Sequence, residues 1–369
     1  MRKRVKRLVR GLRTALENRT ATTIPHAQLG ELLVFGQQHV GTQGFFKSLL
    51  GQAHTVPLCR FPHYEFLVKH ADHVMDNSLY GRYLDASWNY LYPDNNTSDR
   101  RLERMNEFIR LYRDIESRKH LGSRAIRVPA RVCRRPDGKL ILIHGNHRAS
   151  AALKTGVDLR VVFVDRSEHL RKVASVPAEF YGSARLDMPY QSLFHKETEL
   201  LRGRRPDVLQ RIKSVRPDDL QGKTVLELGC NIGSNCFLAT QFGATHATGV
   251  DYSPRLISAA ARLNSFMAAP AFFCVYDLNV ELADEQRADT VFCFSVVNHL
   301  KNTDGIVQTI LKKTGSVLYF EGHAGTSRQD YDYLLRDEYF RTVELVGFMR
   351  DGIHTHKTTR PLWRCEIRP

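Results

Sequence analysis

The chain of 369 residues lacks several features, each of which is typical of a particular class of protein. None of its apolar runs approaches the roughly 20 residues that span a bilayer, so no transmembrane helix is predicted. Its seven cysteines are odd in number and scattered without paired metal-ligand spacing, which favours a reduced cytoplasmic interior and no metal site. Repeats and low-complexity tracts are lacking as well. At this length, with 42% hydrophobic residues, two globular domains are expected.

Acidic residues are also in deficit, with 39 against 54 basic residues and a net charge of +15. Residues 1–20 contain eight Arg or Lys against Glu17 alone, and the apolar residues between Val5 and Leu16 recur at helical spacing. Residues 1–22 are therefore predicted to form a basic amphipathic helix that lies on the anionic inner face of a membrane. A solvated arm, or a helix packed on its own domain, is the alternative.

The segment from Val225 to Gly233 is the most informative in the chain. An apolar run contains Glu227 near its end, glycines break it at Gly229 and Gly233, and a helical pattern begins near Ser234. This pattern predicts a strand, a tight turn and a helix N-terminus, which form a ligand crevice at the carboxyl edge of a parallel sheet. The turn lacks a complete G-x-G-x-x-G and the Lys-Ser/Thr of a P-loop. An uncharged or cationic nucleoside is therefore a better fit than a pyrophosphate.

Three further apolar strands end in polar residues. Asp251 lies 22 residues after Gly229, a spacing that suits an acceptor for ribose hydroxyls. Asp277 and Leu278 follow the next strand and suit the edge of an adenine, and Ser295 ends the fourth. The predicted strands are 247–251, 272–276 and 289–295, and the helices between strands are 254–267 and 304–313. The alternation predicts an α/β doubly wound sheet.

With these motifs, residues 222–369 resemble class I S-adenosylmethionine-dependent methyltransferases. The E-x-G-C-x-x-G turn, the G-V-D at 249–251 and the Asp277-Leu278 pair match the cofactor motifs of that family in order and spacing. The resemblance implies a seven-stranded Rossmann-like sheet within a domain of residues 206–369. A fifth strand is then expected at 316–320, a helix near 328–339, and a closing hairpin of strands 342–350 and 362–367. It also implies S-adenosylmethionine as cofactor, bound by Glu227, Gly229, Asn231, Gly233, Asp251, Tyr252, Asp277, Leu278 and Ser295.

The first half of the chain has a motif of its own. Short strands are predicted at 126–128, 130–132, 140–143 and 161–164. A helix opens with the G-x-H-R-x-x-A-A stretch that begins at Gly145, and it ends at Gly156. This stretch resembles the ParB/sulfiredoxin-like fold over about residues 115–166, which implies an α+β domain of residues 23–175.

That resemblance places a nucleotide or phosphate site at Gly145, His147 and Arg148. A helix N-terminus beside an arginine is physically suited to bind an anion, although the arginine could instead pair with a core carboxylate. Whether the domain is a phosphotransferase stays open.

The remaining segments are less specific. Residues 61–118 are rich in aromatics and helical in pattern, with an amphipathic helix predicted from Arg101 to Ile115. Residues 176–205 are predicted to be a linker that carries a basic stretch from Arg202 to Arg205.

Two histidines follow adjacent predicted strands of the methyltransferase-like half, His299 after the fourth and His323 after the fifth. An alcohol acceptor must lose its proton as the methyl bond forms, and a histidine suits that role. His299 or His323 is therefore the predicted base, with Glu321 as the group that orients it or as a second polar contact. The sequence has neither an N-P-P-Y motif nor a catalytic Cys loop, which disfavours DNA base methylation.

The leading hypothesis is O-methylation of a sugar or sugar phosphate in a bacterial surface glycan, free or lipid-linked. The alternative is an RNA methyltransferase that uses the net charge and Arg202–Arg205 to contact the nucleic-acid backbone. A third hypothesis is a nucleotide-sensing adaptor with an inactive methyltransferase fold. The acceptor atom and the oligomeric state are left open.

Overall fold

The computed structural model describes residues 20–35, 55–174, 189–280, 287–301, 303–350 and 359–368, together with Glu17, Thr42 and Phe45. The chain divides into two compact units, residues 1–169 and 170–369. Most of the predicted amphipathic helix of residues 1–22 lies outside the described residues. In the described part of the chain, no helix has both the length and the apolar character needed to cross a membrane. All seven cysteines are free thiols.

The N-terminal unit is built on a mixed six-stranded sheet with the order β1-β6-β4-β5-β2-β3. Its strands are β1 (Thr22–Ile24), β2 (Leu33–Phe35), β3 (Thr55–Pro57), β4 (Ala130–Arg134), β5 (Leu140–His144) and β6 (Leu159–Phe163). Its helices are α1 (His26–Leu29), α2 (Pro62–His70), α3 (Leu79–Leu91), α4 (Ser98–Ser117) and α5 (Asn146–Thr155), and α6 (Arg166–Ala174) follows β6. The predicted helical region and the helix that opens at Gly145 are confirmed. The likeness to the ParB/sulfiredoxin-like fold remains a prediction.

Local sequence explains where the main helices of this unit begin and end. The Ser78 hydroxyl accepts the Gly81 N–H at the start of α3, and the Thr97 hydroxyl accepts the Arg100 N–H at the start of α4. Helix α5 ends at Gly156, which adopts the left-handed conformation. One face of α4 packs into the core of the unit through Met105, Phe108, Ile109, Tyr112 and Ile115.

The C-terminal unit is built on a seven-stranded sheet with the order β11-β10-β9-β12-β13-β15-β14. Its strands are β9 (Thr224–Leu228), β10 (His246–Asp251), β11 (Ala271–Val275), β12 (Ala288–Phe294), β13 (Thr314–Glu321), β14 (Phe340–Arg350) and β15 (Thr359–Ile367). The first five are parallel, and β15 pairs antiparallel with both β13 and β14. The Rossmann-like sheet and its closing hairpin are therefore confirmed.

The helices of this unit follow the predicted alternation. They are α7 (Val208–Lys213), α8 (Ser234–Gln241), α9 (Pro254–Met267) and α10 (Thr303–Lys313). Strand β9 lies between β10 and β12 and is buried along its last four residues, as expected for a central parallel strand covered on both faces. Because β9 to β13 are parallel, their carboxyl ends meet at one edge of the sheet, and the site is built there.

Three predictions of secondary structure need correction. Residues 126–128 do not form a strand, since Pro129 has no N–H to donate and Arg127 is exposed beside Asp114. Residues 328–339 contain a single 3₁₀ turn, Gln329–Tyr331, instead of a helix. The predicted linker contains an antiparallel hairpin of β7 (Leu193–His195) and β8 (Thr198–Leu201), and Gln191 forms a bridge with Arg205.

Candidate active site

The turn after β9 requires glycine at two positions. Gly229 has a φ of 75°, and a Cβ there would lie 2.6 Å from a methyl carbon of Val296. Gly233 has a φ of 80°, and a Cβ would lie 2.4 Å from the ring of Phe273. Since L side chains rarely adopt this backbone conformation, both glycines are needed for the turn to lie this close to the sheet.

Asp251, at the end of β10, is bound to the glycine turn. Its Oδ2 accepts the Asn231 N–H at 2.9 Å, and its Oδ1 accepts the Ser253 N–H at 3.0 Å. The side chain is buried, which raises the pKa of Asp251, while the two backbone donors oppose that rise. Each carboxylate oxygen has a second lone pair, so the two N–H contacts leave acceptor capacity for the hydroxyls of a ligand.

The residues that follow β10 and β11 line the same edge of the sheet. Tyr252 is 64% exposed beside Asp251, which suits an aromatic surface for a bound ring. Asp277 is exposed, and hydrogen bonds from the backbone and side chain of Asn279 lower its pKa. Leu278 is buried in the core beneath. The predicted positions after β9, β10 and β11 therefore lie on neighbouring strand ends, as the sheet order requires.

Glu227, on β9, is enclosed within the protein. Its side chain is only 1% exposed and accepts hydrogen bonds from Asn235 Nδ2 at 2.6 Å and Cys236 Sγ at 3.1 Å. Burial raises the pKa of Glu227 to about 7, although both donors act to lower it. Glu227 thus supports the first turn of α8 from within the protein, and its contact with a cofactor stays a prediction.

Glu321, at the end of β13, is also buried and is held by two arginines. Its Oε1 accepts Arg205 Nη2 at 3.0 Å, and its Oε2 accepts Arg211 Nε at 2.6 Å. Asp207 completes the set, because its carboxylate accepts hydrogen bonds from both guanidinium groups, at 2.7–3.0 Å. We call Arg205, Asp207, Arg211 and Glu321 the buried charge cluster. Its four formal charges sum to zero.

The buried charge cluster determines the charge of Glu321. Burial raises its pKa, but the charges of Arg211 and Arg205 outweigh burial and hold the pKa of Glu321 below its usual value. The Ser295 hydroxyl also donates to Glu321. With both oxygens engaged by Arg205, Arg211 and Ser295, this carboxylate fixes the ends of β12 and β13, and its role beside a histidine stays a prediction.

Glu227 and Glu321 are connected through the side-chain amide of Asn235 and the guanidinium of Arg211. Asn235 donates to Glu227, and its Oδ1 lies 3.4 Å from Arg211 Nη1. The Arg211 guanidinium also lies 5.0 Å from the ring centroid of Phe294. The interior beneath the site is therefore a continuous polar network that runs from β9 to β13.

Above this network, the structure brings the two predicted histidines together. The ring centroids of His299 and His323 are 5.9 Å apart with an edge-to-face arrangement. His299 is exposed and His323 is half-buried. The two side chains follow β12 and β13, at the same sheet edge as the glycine turn.

Tyr331 connects the segments that carry these histidines and was missed by the sequence reasoning. Its hydroxyl accepts the His323 backbone N–H at 2.7 Å and lies 3.4 Å from Asn298 Oδ1. Tyr331 is buried against Phe320 and Trp363. Nothing in the local sequence marks this residue, because its partners lie on separate strand ends.

Arg205 and Arg211 were missed for a similar reason. The i, i+4 spacing of Asp207 and Arg211 is readable as a helix-surface pair. However, the partner Glu321 lies more than 100 residues further along the chain. Arg205, assigned to a basic surface stretch, is in fact 2% exposed.

The candidate residues of the N-terminal unit lie at the start of α5. Gly145 has a φ of 111°, and no side chain caps the helix. Arg148 Nη2 lies 3.1 Å from His144 Nδ1. His147 lies 2.6 Å from the Tyr80 hydroxyl, and burial lowers the pKa of His147 to about 3. His147 is therefore neutral at pH 7, and its place in a phosphate or nucleotide site stays a prediction.

Comparison with known proteins supports the reading of the C-terminal half. Residues 200–356 match a family model described as a methyltransferase domain. Ribosomal protein L11 methyltransferase of Xanthomonas oryzae pv. oryzae (strain MAFF 311018) is 41% identical over 58 residues, which are 16% of this chain and 18% of that protein. The same-named protein of Histophilus somni (strain 2336) is 30% identical over 102 residues, which are 27% of this chain and 33% of that protein. The chain thus spans no more than a third of the length of these curated relatives.

Solved structures that show similarity to this chain include the magnesium protoporphyrin IX methyltransferase of Synechocystis PCC 6803 with bound SAH. It is 18% identical with a TM-score of 0.38, and the match covers 44% of this chain and 82% of that one. The N-terminal domain of EvdMO1, solved with SAH and D-fucose, is 15% identical with a TM-score of 0.41 and coverage of 56% and 98%. The family match, the order of the seven strands and the glycine turn together identify the C-terminal half of this chain as a class I S-adenosylmethionine-dependent methyltransferase domain.

Proposed function

We propose that the C-terminal unit transfers a methyl group from S-adenosylmethionine to a hydroxyl of a sugar or sugar phosphate in a bacterial surface glycan. The observation that carries the proposal is the pair His299 and His323, side by side at the sheet edge that holds the glycine turn and Asp251. A methyltransferase for an alcohol needs both a cofactor crevice and a group that accepts a proton there.

The chain supplies residues suited to the cofactor. Asp251 would accept the ribose hydroxyls, Tyr252 would cover the adenine ring, and Asp277 would lie at the edge of the adenine. When bound, S-adenosylmethionine supplies a methyl group on a positively charged sulfur. The protein then has to place an acceptor hydroxyl in line and exclude water. His323 or His299 would accept the hydroxyl proton as the oxygen–carbon bond forms and the carbon–sulfur bond breaks.

Cofactor binding is tested by calorimetry on the full chain. Asp251→Asn is expected to weaken S-adenosylmethionine binding by roughly 10- to 100-fold, the effect of losing charge-assisted hydrogen bonds. Asp289→Asn is the matched control, because Asp289 accepts hydrogen bonds from Thr224 at the amino end of the same sheet. Equal affinities in the two variants, or no binding to the wild-type protein, would overturn the cofactor site.

The acceptor is tested by transfer of labelled methyl groups into fractionated bacterial extract. Label in the glycan or lipid-linked glycan fraction, lost in a His299→Ala, His323→Ala double variant that still binds cofactor, is the expected result. Label confined to protein or nucleic acid would refute the glycan acceptor and leave methyl transfer standing. The protein fraction must include ribosomal proteins, because the relatives that match over short stretches are named as methyltransferases of ribosomal protein L11.

An RNA acceptor is the alternative that the basic composition raised. The buried charge cluster weakens it, because Arg205 and Arg211 are enclosed and paired and cannot contact a phosphate backbone. Arg202 is exposed, but it too pairs with Glu199. An RNA enzyme would show strongly salt-dependent binding to transfer or ribosomal RNA fragments.

Two further parts of the hypothesis stay proposals. Residues 1–20 would bring the enzyme to an anionic membrane surface, which deletion of those residues and membrane fractionation would test. The N-terminal unit would bind a phosphate or nucleotide beside Gly145 and Arg148, and we extend this to binding only, not to phosphoryl transfer.

A further inference from the structure

Ser295, directly after β12, has a strained backbone. The non-glycine residues with a positive φ in the described part of the chain are Lys196, Asn231, Ala268 and Ser295. The first three occur where this conformation is ordinary: Lys196 lies in the turn between β7 and β8, Ala268 ends α9, and asparagine tolerates the left-handed region. Ser295, with a φ of 57°, instead follows a central strand at the sheet edge that carries the glycine turn. Strain at such a place is often part of the function of a site.

Hydrogen bonds to the end of β13 hold Ser295 in this conformation. The Ser295 N–H donates to the Glu321 carbonyl oxygen at 3.0 Å, and the Ser295 hydroxyl donates to the Glu321 carboxylate. The hydroxyl also lies 3.3 Å from the Gly322 carbonyl oxygen. Glu321 is itself fixed by Arg205 and Arg211. The buried charge cluster therefore supplies the acceptor whose hydrogen bond offsets the strain.

The left-handed turn at Ser295 determines where the following residues lie. Val296 occupies the space beside Gly229, since a Cβ on that glycine would lie 2.6 Å from a methyl carbon of Val296. The chain then forms a 3₁₀ turn, in which the His299 N–H donates to the Val296 carbonyl oxygen at 2.9 Å. The ring of His299 reaches a centroid distance of 5.9 Å from that of His323, and we call these two residues the histidine pair. This short segment therefore connects the glycine turn to the histidine pair.

We infer that Ser295 is a positioning residue, which holds the glycine turn and the histidine pair in a fixed relation through a strained backbone that its own hydroxyl stabilises. The inference rests on the proposed function, because the cofactor crevice and the predicted base are the two parts that Ser295 connects. It differs from the direct contact with the cofactor that the family resemblance implies for Ser295. A direct contact depends on the hydroxyl, whereas positioning depends on the backbone angle.

Two substitutions, measured by calorimetry on the full chain, separate these roles. Ser295→Ala keeps a Cβ, which is strained at this φ, and removes the hydroxyl that holds it, so the free protein should relax to a negative φ. Cofactor binding must then restore the strained turn, and the affinity for S-adenosylmethionine should fall by about tenfold. Ser295→Gly also lacks the hydroxyl, but glycine adopts a φ of 57° without strain. Its affinity should stay within about threefold of the wild-type value.

Ala268→Gly is the matched control for the relief of backbone strain. Ala268 has a φ of 56° and lies between the end of α9 and the start of β11, at the amino edge of the same sheet. The substitution should raise Tm by roughly 2–4 °C, because the strain is removed and no side-chain hydrogen bond is lost. The affinity for S-adenosylmethionine should not change.

The histidine pair is measured without cofactor. In the full chain with labelled histidine, nuclear Overhauser effects between the imidazole protons of His299 and His323 report the separation of the two rings. These effects should be present in the wild type and in Ser295→Gly, and lost in Ser295→Ala. Asp251→Asn should retain them, because Asp251 binds the glycine turn from the end of β10.

The possible failures are distinct. If Ser295→Ala matches the wild type in either measurement, or if Ser295→Gly is weakened as much as Ser295→Ala, the positioning role is refuted. If Ser295→Ala does not fold, Ser295→Asn replaces it, since asparagine tolerates the positive φ and should bind cofactor as Ser295→Gly does. A tenfold loss in both of those variants would overturn the inference. If the wild type binds no S-adenosylmethionine, the proposed cofactor site fails, and the histidine measurement still tests positioning by itself.

Discussion

Replacing Glu321 by Gln should reveal how strongly the buried charge cluster depends on its neutrality. The substitution keeps the shape of the side chain and removes one negative charge from between Arg205 and Arg211. Asp207 then faces both guanidinium groups alone, so one positive charge stays buried without compensation. Removing one partner of a buried pair typically costs about 3–5 kcal/mol. Since Asp207 still bonds both arginines, the lower end, about 3 kcal/mol, is expected.

That loss is large enough to measure by calorimetric melting or by denaturant titration. In a unit of about 200 residues, 3 kcal/mol corresponds to a fall in Tm of roughly 6–12 °C. Glu344→Gln is the matched control, because Glu344 pairs with Arg216 in the same unit with both side chains about half exposed. Exposed pairs contribute up to about 1 kcal/mol, so the control should shift by no more than about 4 °C.

The pH dependence gives a second measure of the same charge. The folded-state pKa of Glu321 lies below its ordinary value of 4.5, so its stabilising effect is complete above pH 4.5 and is lost as pH falls through the folded-state pKa. The difference in stability between the wild type and Glu321→Gln should therefore shrink as pH falls below about 4.5. If Glu321→Gln melted like Glu344→Gln at pH 7, the argument from buried charge would be refuted.

Three further predictions concern single positions. Glu227 binds an extra proton in the folded state between its ordinary pKa of 4.5 and about 7, so wild-type stability should fall by roughly 3 kcal/mol as pH rises through that window. In denaturant titrations, the stability of Glu227→Gln should not fall over that pH window. If it fell as in the wild type, a group other than Glu227 would be responsible. Gly229→Ala should lose roughly 2–4 kcal/mol through its positive φ and its clash with Val296, and Val296→Ala in the same protein should recover part of the loss. Tyr331→Phe removes the acceptor of the His323 N–H and should lower the free energy of unfolding by about 1–3 kcal/mol. It should also lower kcat for methyl transfer with little change in cofactor affinity. An unchanged kcat would limit Tyr331 to a role in stability.

The parallel strands could be predicted because each one is an apolar run that ends in a polar residue. Helix α9 was predicted at residues 254–267, where the structure has it, since Ser253 caps it and Pro254 opens it. The pairing of His299 with His323 followed from the order of adjacent strands. Where local pattern and sheet order agreed, the sequence was sufficient.

The failures come from contacts between distant parts of the chain. Residues 328–339 carry a helical pattern, but Arg328 donates to the Leu335 carbonyl and to Asp337, and the Tyr331 hydroxyl is bound to the loop of His323. Those bonds favour a turn over a helix. The arginine partners of Glu321 were missed for the same reason, because no local signal shows that Arg205 and Arg211 reach it.

The position of Arg205 also determines where the catalytic half could be separated from the rest of the chain. A fragment that starts at residue 206 would keep every motif of the glycine crevice yet lack one of the two cations around Glu321. It would also lack residues 189–205, in which β7 pairs with β8 and Gln191 forms a β-bridge with Arg205. A fragment that starts at residue 206 should therefore be insoluble or poorly folded. A fragment that starts upstream of residue 189 should fold stably.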